Sequence, residues 1–195
     1  MVDAALVGLP VRTTYDGSGR LTSMIRMGLR VDLFLAADRS YLDELVAEGF
    51  GYDVRPLRTQ RVCCVRSPTS ADRTWEELAG GGHRVSLASP RSAAVSRVLR
   101  SGVGAETFDR LASVAAHRVT VTEVAADVAA TGAADYGFIW DTTWPDDGRL
   151  IEVPMPELTA AVGTVALGVP SGGGDKVVQE RIAAAVRAMP ARDDA

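Results

Sequence analysis

The chain has 195 residues, 47% of them apolar and 24% charged, the proportions of an ordinary globular protein with room for one large domain or two small lobes. A net charge of -4 gives no basic surplus for nucleic acid, and no apolar run approaches the roughly 18 residues of a membrane span. Cys63 and Cys64 are the only cysteines and are adjacent; neighbours in a strand point to opposite faces, so they read as small buried hydrophobes rather than a disulfide or a zinc site.

Met1–Pro10 is short and mildly apolar and lacks the basic and apolar regions of a secretion leader. Val11–Tyr15 is β-branched and predicts a strand, and Asp16-Gly17-Ser18-Gly19 a turn. Leu21, Met24, Ile25 and Gly28 then recur on one helical face. Val31–Ala36 is a continuous apolar run, as in a parallel strand covered on both faces. A helix follows over Arg39–Glu48, stopped by Gly49-Phe50-Gly51. Val54–Arg61 reads as a connector to a strand at Val62–Arg66. Thr74 and Glu77 form a capping box for a short helix at Trp75–Ala79, closed by Gly80-Gly81-Gly82.

Arg84–Ala88 predicts the next strand, followed by helices over Ala93–Leu99 and Glu106–Ala116. Val119–Val121 reads either as a short strand or as the opening of the helix marked by Val121, Val124, Ala125, Val128 and Ala129. Gly132 closes that helix, and Asp135–Trp140 is a strand. Asp141–Arg149 is a polar, solvated loop. Leu150–Val153 and Thr159–Val169 are extended, and a last helix buries Val178, Ile182, Val186 and Met189 before a polar tail at Ala191–Ala195. Alternating strands and helices predict an α/β fold with mainly parallel sheets.

The strand–glycine turn–helix at Val11–Gly28 leaves free amides at a helix start, where the helix dipole favours an anion. Ser18 either adds a hydroxyl there or caps the helix. Arg91 and Ser92 read equally as an anion-binding loop or a cap. Gly172-Gly173-Gly174-Asp175 lacks the Gly-Lys-Ser/Thr of a P-loop. His83 and His117 are far apart, with no nucleophile elbow to pair with, so catalysis is not expected.

Tyr15-Asp16-Gly17-Ser18-Gly19-Arg20-Leu21, Val31-Asp32-Leu33-Phe34-Leu35-Ala36-Ala37-Asp38, Tyr41-Leu42-Asp43, Thr74–Ala79, Gly132–Trp140 and the last helix occur in one order. In that order and spacing the chain resembles the molybdate-binding (ModA-type) solute-binding proteins of ABC importers, over about Val11 to Met189. The resemblance implies a two-lobed type II periplasmic-binding-protein fold with crossing hinge strands, residues 1–60 and 155–195 forming one lobe and 61–154 the other. It implies a tetrahedral oxyanion such as molybdate or tungstate, held without cofactor or metal, in a cleft closed by a hinge. Partners would be the importer's membrane subunits, in an extracytoplasmic compartment; the alternative is a cytoplasmic or degenerate anion-binding protein of the same fold without a transport role.

Carried over by position, the ligand donors are Ser18 with Gly17, the backbone near Ala93, Thr122 at a helix start, and Trp140 where the family places a tyrosine. The chain departs from that pattern at several positions. The family's D-P-x-x-x-P-A-G-x-Y loop is shortened to Ser89-Pro90-Arg91-Ser92-Ala93-Ala94. Trp140 offers an indole N–H in place of a hydroxyl. Asp16 would repel a dianion if it faced the ligand. The family's first strand, serine turn and helix have no counterpart before Val11, a place that segment exchange in a homodimer would fill.

Overall fold

A computed structural model describes residues 6–144 and 148–188. The chain divides into two compact units, Met1–Thr59 with Thr164–Ala195 and Gln60–Gly163. Both passages between them fall inside strands: β2 (Tyr52–Arg66) crosses at Thr59/Gln60 and β7 (Val162–Pro170) at Gly163/Thr164. The return passage thus lies later than residue 155, because Pro156–Ala160 forms a 3-10 turn and the strand starts only at Val162.

In the first unit, helix α1 (Ser18–Arg26) leads to the three-residue strand β1 (Phe34–Ala36) and helix α2 (Ser40–Ala47). β1 pairs antiparallel with β7, Phe34 opposite Gly168 and Ala36 opposite Ala166. Val165, Leu167 and Val169 alternate onto one face of β7, where they pack with Leu6 and with Val178, Ile182 and Val186 of helix α7 (Lys176–Arg187). The other face meets α2 so closely that a methyl group on Gly168 would come within 2.2 Å of Leu42 Cδ2. Arg26 of α1 joins Glu44 (3.1 Å) and Glu48 (2.5 Å) of α2.

Two expectations are corrected here. Val11–Tyr15 is exposed and belongs to no strand, and of Val31–Ala36 only Phe34–Ala36 is a strand. β-branched residues fit a pleated surface but do not supply the hydrogen-bonded neighbour that makes a strand; Phe34–Ala36 finds one in β7.

In the second unit β3 (Val85–Ala88), β4 (Ala116–Arg118), β5 (Tyr136–Trp140) and β6 (Ile151–Val153) join β2; the strand order is β2-β5-β3-β4, with β6 on the other side of β2. β3 is parallel to β4 and to β5, whereas β5 and β6 both run antiparallel to β2. The sheets are therefore mixed rather than mainly parallel. Only the strands joined by crossover helices pair in parallel, as the handedness of such connections demands; the long strands β2 and β7 break the pattern. The stretch read as a connector, Val54–Arg61, is part of β2.

Helices α3 (Trp75–Ala79), α4 (Ala94–Val103), α5 (Ala105–Val114) and α6 (Val121–Ala126) complete this unit, and α6 continues into one π-helical turn at Asp127–Thr131. The Thr74–Glu77 capping box is present as expected. A second one, Thr120 with Glu123, opens α6 and was not read in the sequence. Cys63 and Cys64 are free and fully buried in β2, and burial raises both thiols well above their usual range. Met189, the centre of the acidic loop and the terminal tail lie outside the described residues.

Candidate functional site

In open α/β sheets, ligands bind beyond the carboxyl ends of the parallel strands, where loops lead into helix starts. In the second unit the parallel register of Ser86 with Ala116 and of Ser86 with Gly137 aligns the carboxyl ends of β4, β3 and β5 along one edge. Three expected donors come to that edge: Ala93 in the loop after β3, Thr122 after β4, and Trp140 as the last residue of β5. The amide of Ser89 donates to Arg118 O at 2.7 Å and stitches the first two loops together.

The bonding at each position differs from a simple donor set. Ala93 is buried and immediately precedes α4, but its own N–H donates to Ser89 O (2.9 Å) and closes the turn. The amides of Ala94 and Val95 that follow have no protein acceptor among the described residues, as expected in a first helical turn. Thr122 is exposed in the first turn of α6. Beside it the Glu123 carboxylate accepts the Thr120 N–H (2.8 Å), while the Glu123 N–H donates to Thr120 Oγ1 (3.3 Å). Trp140 is 4% exposed and sits opposite Val62 of β2.

Thr120 holds the Glu123 carboxyl below the usual range, its backbone N–H contributing most. A carboxyl whose pKa is lower folded than unfolded adds stability above its unfolded value, near 4.3, and loses it as pH falls through the lower folded value. The Glu123→Gln variant, which keeps a neutral cap, is therefore expected to show a flatter fall of melting temperature below about pH 4 than the parent. Superimposable melting-temperature profiles would refute this.

Ser18 and Gly17 belong to the first unit, at the carboxyl end of β1. Gly17 is the residue before α1 and Ser18 its first residue. Ser18 does not cap the helix: its Oγ accepts the Ala37 N–H (3.0 Å), tying the helix start to the residue after β1. Its own hydroxyl proton has no acceptor among the described residues. The Gly17 N–H donates to Asp16 Oδ1 (2.8 Å), and Asp16 Oδ2 pairs with Arg20 Nε (3.1 Å). The Asp16 charge is thus balanced locally and the Gly17 amide is used, leaving the amides of Ser18 and Gly19 without a protein acceptor among the described residues. Asp38, quoted in the sequence but given no role, is buried; it accepts the amides of Ser40 (3.0 Å) and Thr164 (3.3 Å) and so anchors α2 to β7.

Sequence reading also passed over the support beneath α6. Asp127, in the π turn, is buried and accepts Ser86 Oγ of β3 (2.7 Å) and Arg118 Nε of β4 (2.7 Å). The helix that presents Thr122 is thereby fixed to both strands. No signal within the span of one helix turn could have joined residues so far apart. Two open depressions of this unit, of about 460 Å³ beside Trp75 and Met155 and about 370 Å³ beside Pro90 and Arg97, include none of the expected donors. Among the described residues there is no cluster of His, Cys, Asp or Glu able to hold a metal, and no helix is long and apolar enough to cross a membrane.

Known structures share this fold. The periplasmic molybdate-binding protein of Azotobacter vinelandii is 19% identical, with a TM-score of 0.70 over 95% of this chain and 84% of that one. The sulfate-binding protein SubI of Mycobacterium tuberculosis is 17% identical, with a TM-score of 0.69 over 98% and 77%. The iron-bound protein HitA of Pseudomonas aeruginosa is 15% identical, with a TM-score of 0.66 over 93% and 74%. At such identities the likeness establishes the type II periplasmic-binding-protein fold alone. It gives no support to a dimer formed by segment exchange. No curated protein matches the sequence. The profile of one family, described as bacterial extracellular solute-binding protein, matches residues 5–191. The chain, in which helix starts gather at the carboxyl edges of the strands, belongs to the bacterial extracellular solute-binding protein family.

Proposed function

We propose that this protein binds a tetrahedral oxyanion of the molybdate or tungstate type and delivers it, outside the cytoplasm, to the membrane subunits of an ABC transporter, without catalysis. The observation that carries the reading is the alignment of the α4 and α6 starts along one edge of the second unit, where the amides of Ala94 and Val95 await an acceptor. Ser18 and the amides of Ser18 and Gly19 offer a similar set at the carboxyl end of β1. Neutral donors suit such an ion, since several charge-assisted hydrogen bonds replace its water shell. Asp16, the one acidic residue beside Ser18 in sequence, is balanced by Arg20.

The test is calorimetric titration with molybdate, tungstate and sulfate, paired with thermal melting. Binding is expected to release or absorb heat and to raise the melting temperature with ligand concentration, as any ligand selective for the folded state must. No heat and no shift with any of the three ions removes the reading.

A further inference from the structure

The second unit is laced with arginine ion pairs. Arg61 is held by Glu152, Arg84 by Asp135, Arg100 by Asp109 and Arg118 by Asp127. Arg91 is different: it is exposed and has no hydrogen-bond or ion-pair partner among the described residues. It lies in the Ser89–Ser92 turn between β3 and α4, on the edge that carries Thr122 and Trp140.

The charges around it are unequal. α4 has no acidic residue in its first turn, whereas the neighbouring α6 start carries Glu123. The α6 start thus carries a carboxylate, held by Thr120, whereas the turn that leads into α4 carries a guanidinium with no partner among the described residues. The guanidinium is a permanent cation with a planar fork of donors suited to oxyanions.

We propose that Arg91 is a specificity-determining residue of the anion site and makes it prefer dianions to monoanions of the same shape. The proposal rests on the oxyanion reading above and names the feature that sets its charge selectivity. The neutral donors recognise shape and oxygen atoms; Arg91 adds an attraction that grows with ligand charge and weakens as salt screens it. Among the described residues, no hydrogen bond or ion pair is given up when the side chain turns to a ligand.

The test compares tungstate with perrhenate, tetrahedral oxyanions of nearly equal size that differ by one unit of charge. Both are titrated into the parent protein and the Arg91→Gln variant at low and high salt. The parent should prefer tungstate. Arg91→Gln should weaken tungstate by about tenfold or more and perrhenate far less, so that the preference collapses and the salt dependence shrinks. Arg91→Lys, which keeps the charge without the fork, should recover part of the preference. Melting temperatures should stay alike, since Arg91 has no hydrogen-bond or ion-pair partner among the described residues.

An unchanged tungstate-to-perrhenate ratio in Arg91→Gln overturns the role of Arg91 while leaving the oxyanion reading intact. A parent protein that binds neither ion overturns both.

Discussion

Trp75→Ala is expected to destabilise the second unit by about 3–5 kcal/mol, the cost of emptying a large aromatic site in a packed core. Trp75 is 1% exposed, and its ring meets that of Phe138 edge-on, 5.6 Å between centroids at 68°. It is the first residue of α3, and its neighbour Leu78 is also fully buried, so the helix loses its anchor to β5. The polar atom does not share in this cost. Trp75 Nε1 is buried without a partner among the described residues, so Trp75→Phe sacrifices volume but no hydrogen bond to them and should cost only about 1–2 kcal/mol. Urea unfolding followed by circular dichroism separates the two. Equal losses for Ala and Phe would mean that the indole nitrogen, rather than the ring's bulk, holds this part of the core.

Asp127→Ala is expected to cost about 2–3 kcal/mol. It strands the buried Ser86 hydroxyl and leaves the Arg118 guanidinium without its carboxylate. The figure stays below that for a fully buried pair because the Arg118 side chain is 35% exposed and water can replace part of the interaction. Asp127→Asn keeps an acceptor for Ser86 and should cost less. A second consequence separates this network from ordinary packing. With α6 no longer fixed to β3 and β4, Thr122 and the helix start lose their set position, and any anion held at that edge should bind more weakly. Hydrogen exchange over Val121–Ala126, compared between parent and variant, reads the loosening directly. Unchanged protection there would show that Asp127 does not fix the helix.

Much of the local architecture was legible from short-range patterns. The Thr74–Glu77 capping box needs only four consecutive residues, and it formed as read. The same chemistry at Thr120–Glu123 was equally present in the sequence, but the apolar stripe from Val121 onward drew the reading to the helix body rather than its start. Where an element depended on a distant partner, legibility failed. Val11–Tyr15 has the composition of a strand, yet it belongs to no strand among the described residues. Val54–Arg61 has a proline and many polar residues, yet extends β2.

The candidate donors divide in the same way. The resemblance singled out Ser18, Ala93, Thr122 and Trp140; Ser18 is the first residue of α1, Ala93 precedes α4, Thr122 is in the first turn of α6 and Trp140 ends β5. It could not tell which of their groups remain available. That was decided by bonds to residues elsewhere: Ala37 on Ser18, Ser89 on Ala93, Asp16 on Gly17.

By itself, then, the sequence determined where helices begin, which faces they bury, that Cys63 and Cys64 would be core residues, and the order of elements that marks the family. These follow from propensity, capping and periodicity, which act over three or four residues. Only the tertiary structure decided which extended segments became strands, how β2 and β7 mix the sheet, which carboxylate holds α6, and that Arg91 keeps its charge uncommitted while other arginines are paired. Strand partners and ion pairs such as Arg84–Asp135 join residues dozens of positions apart, and such pairings exist only once packing has brought the segments together.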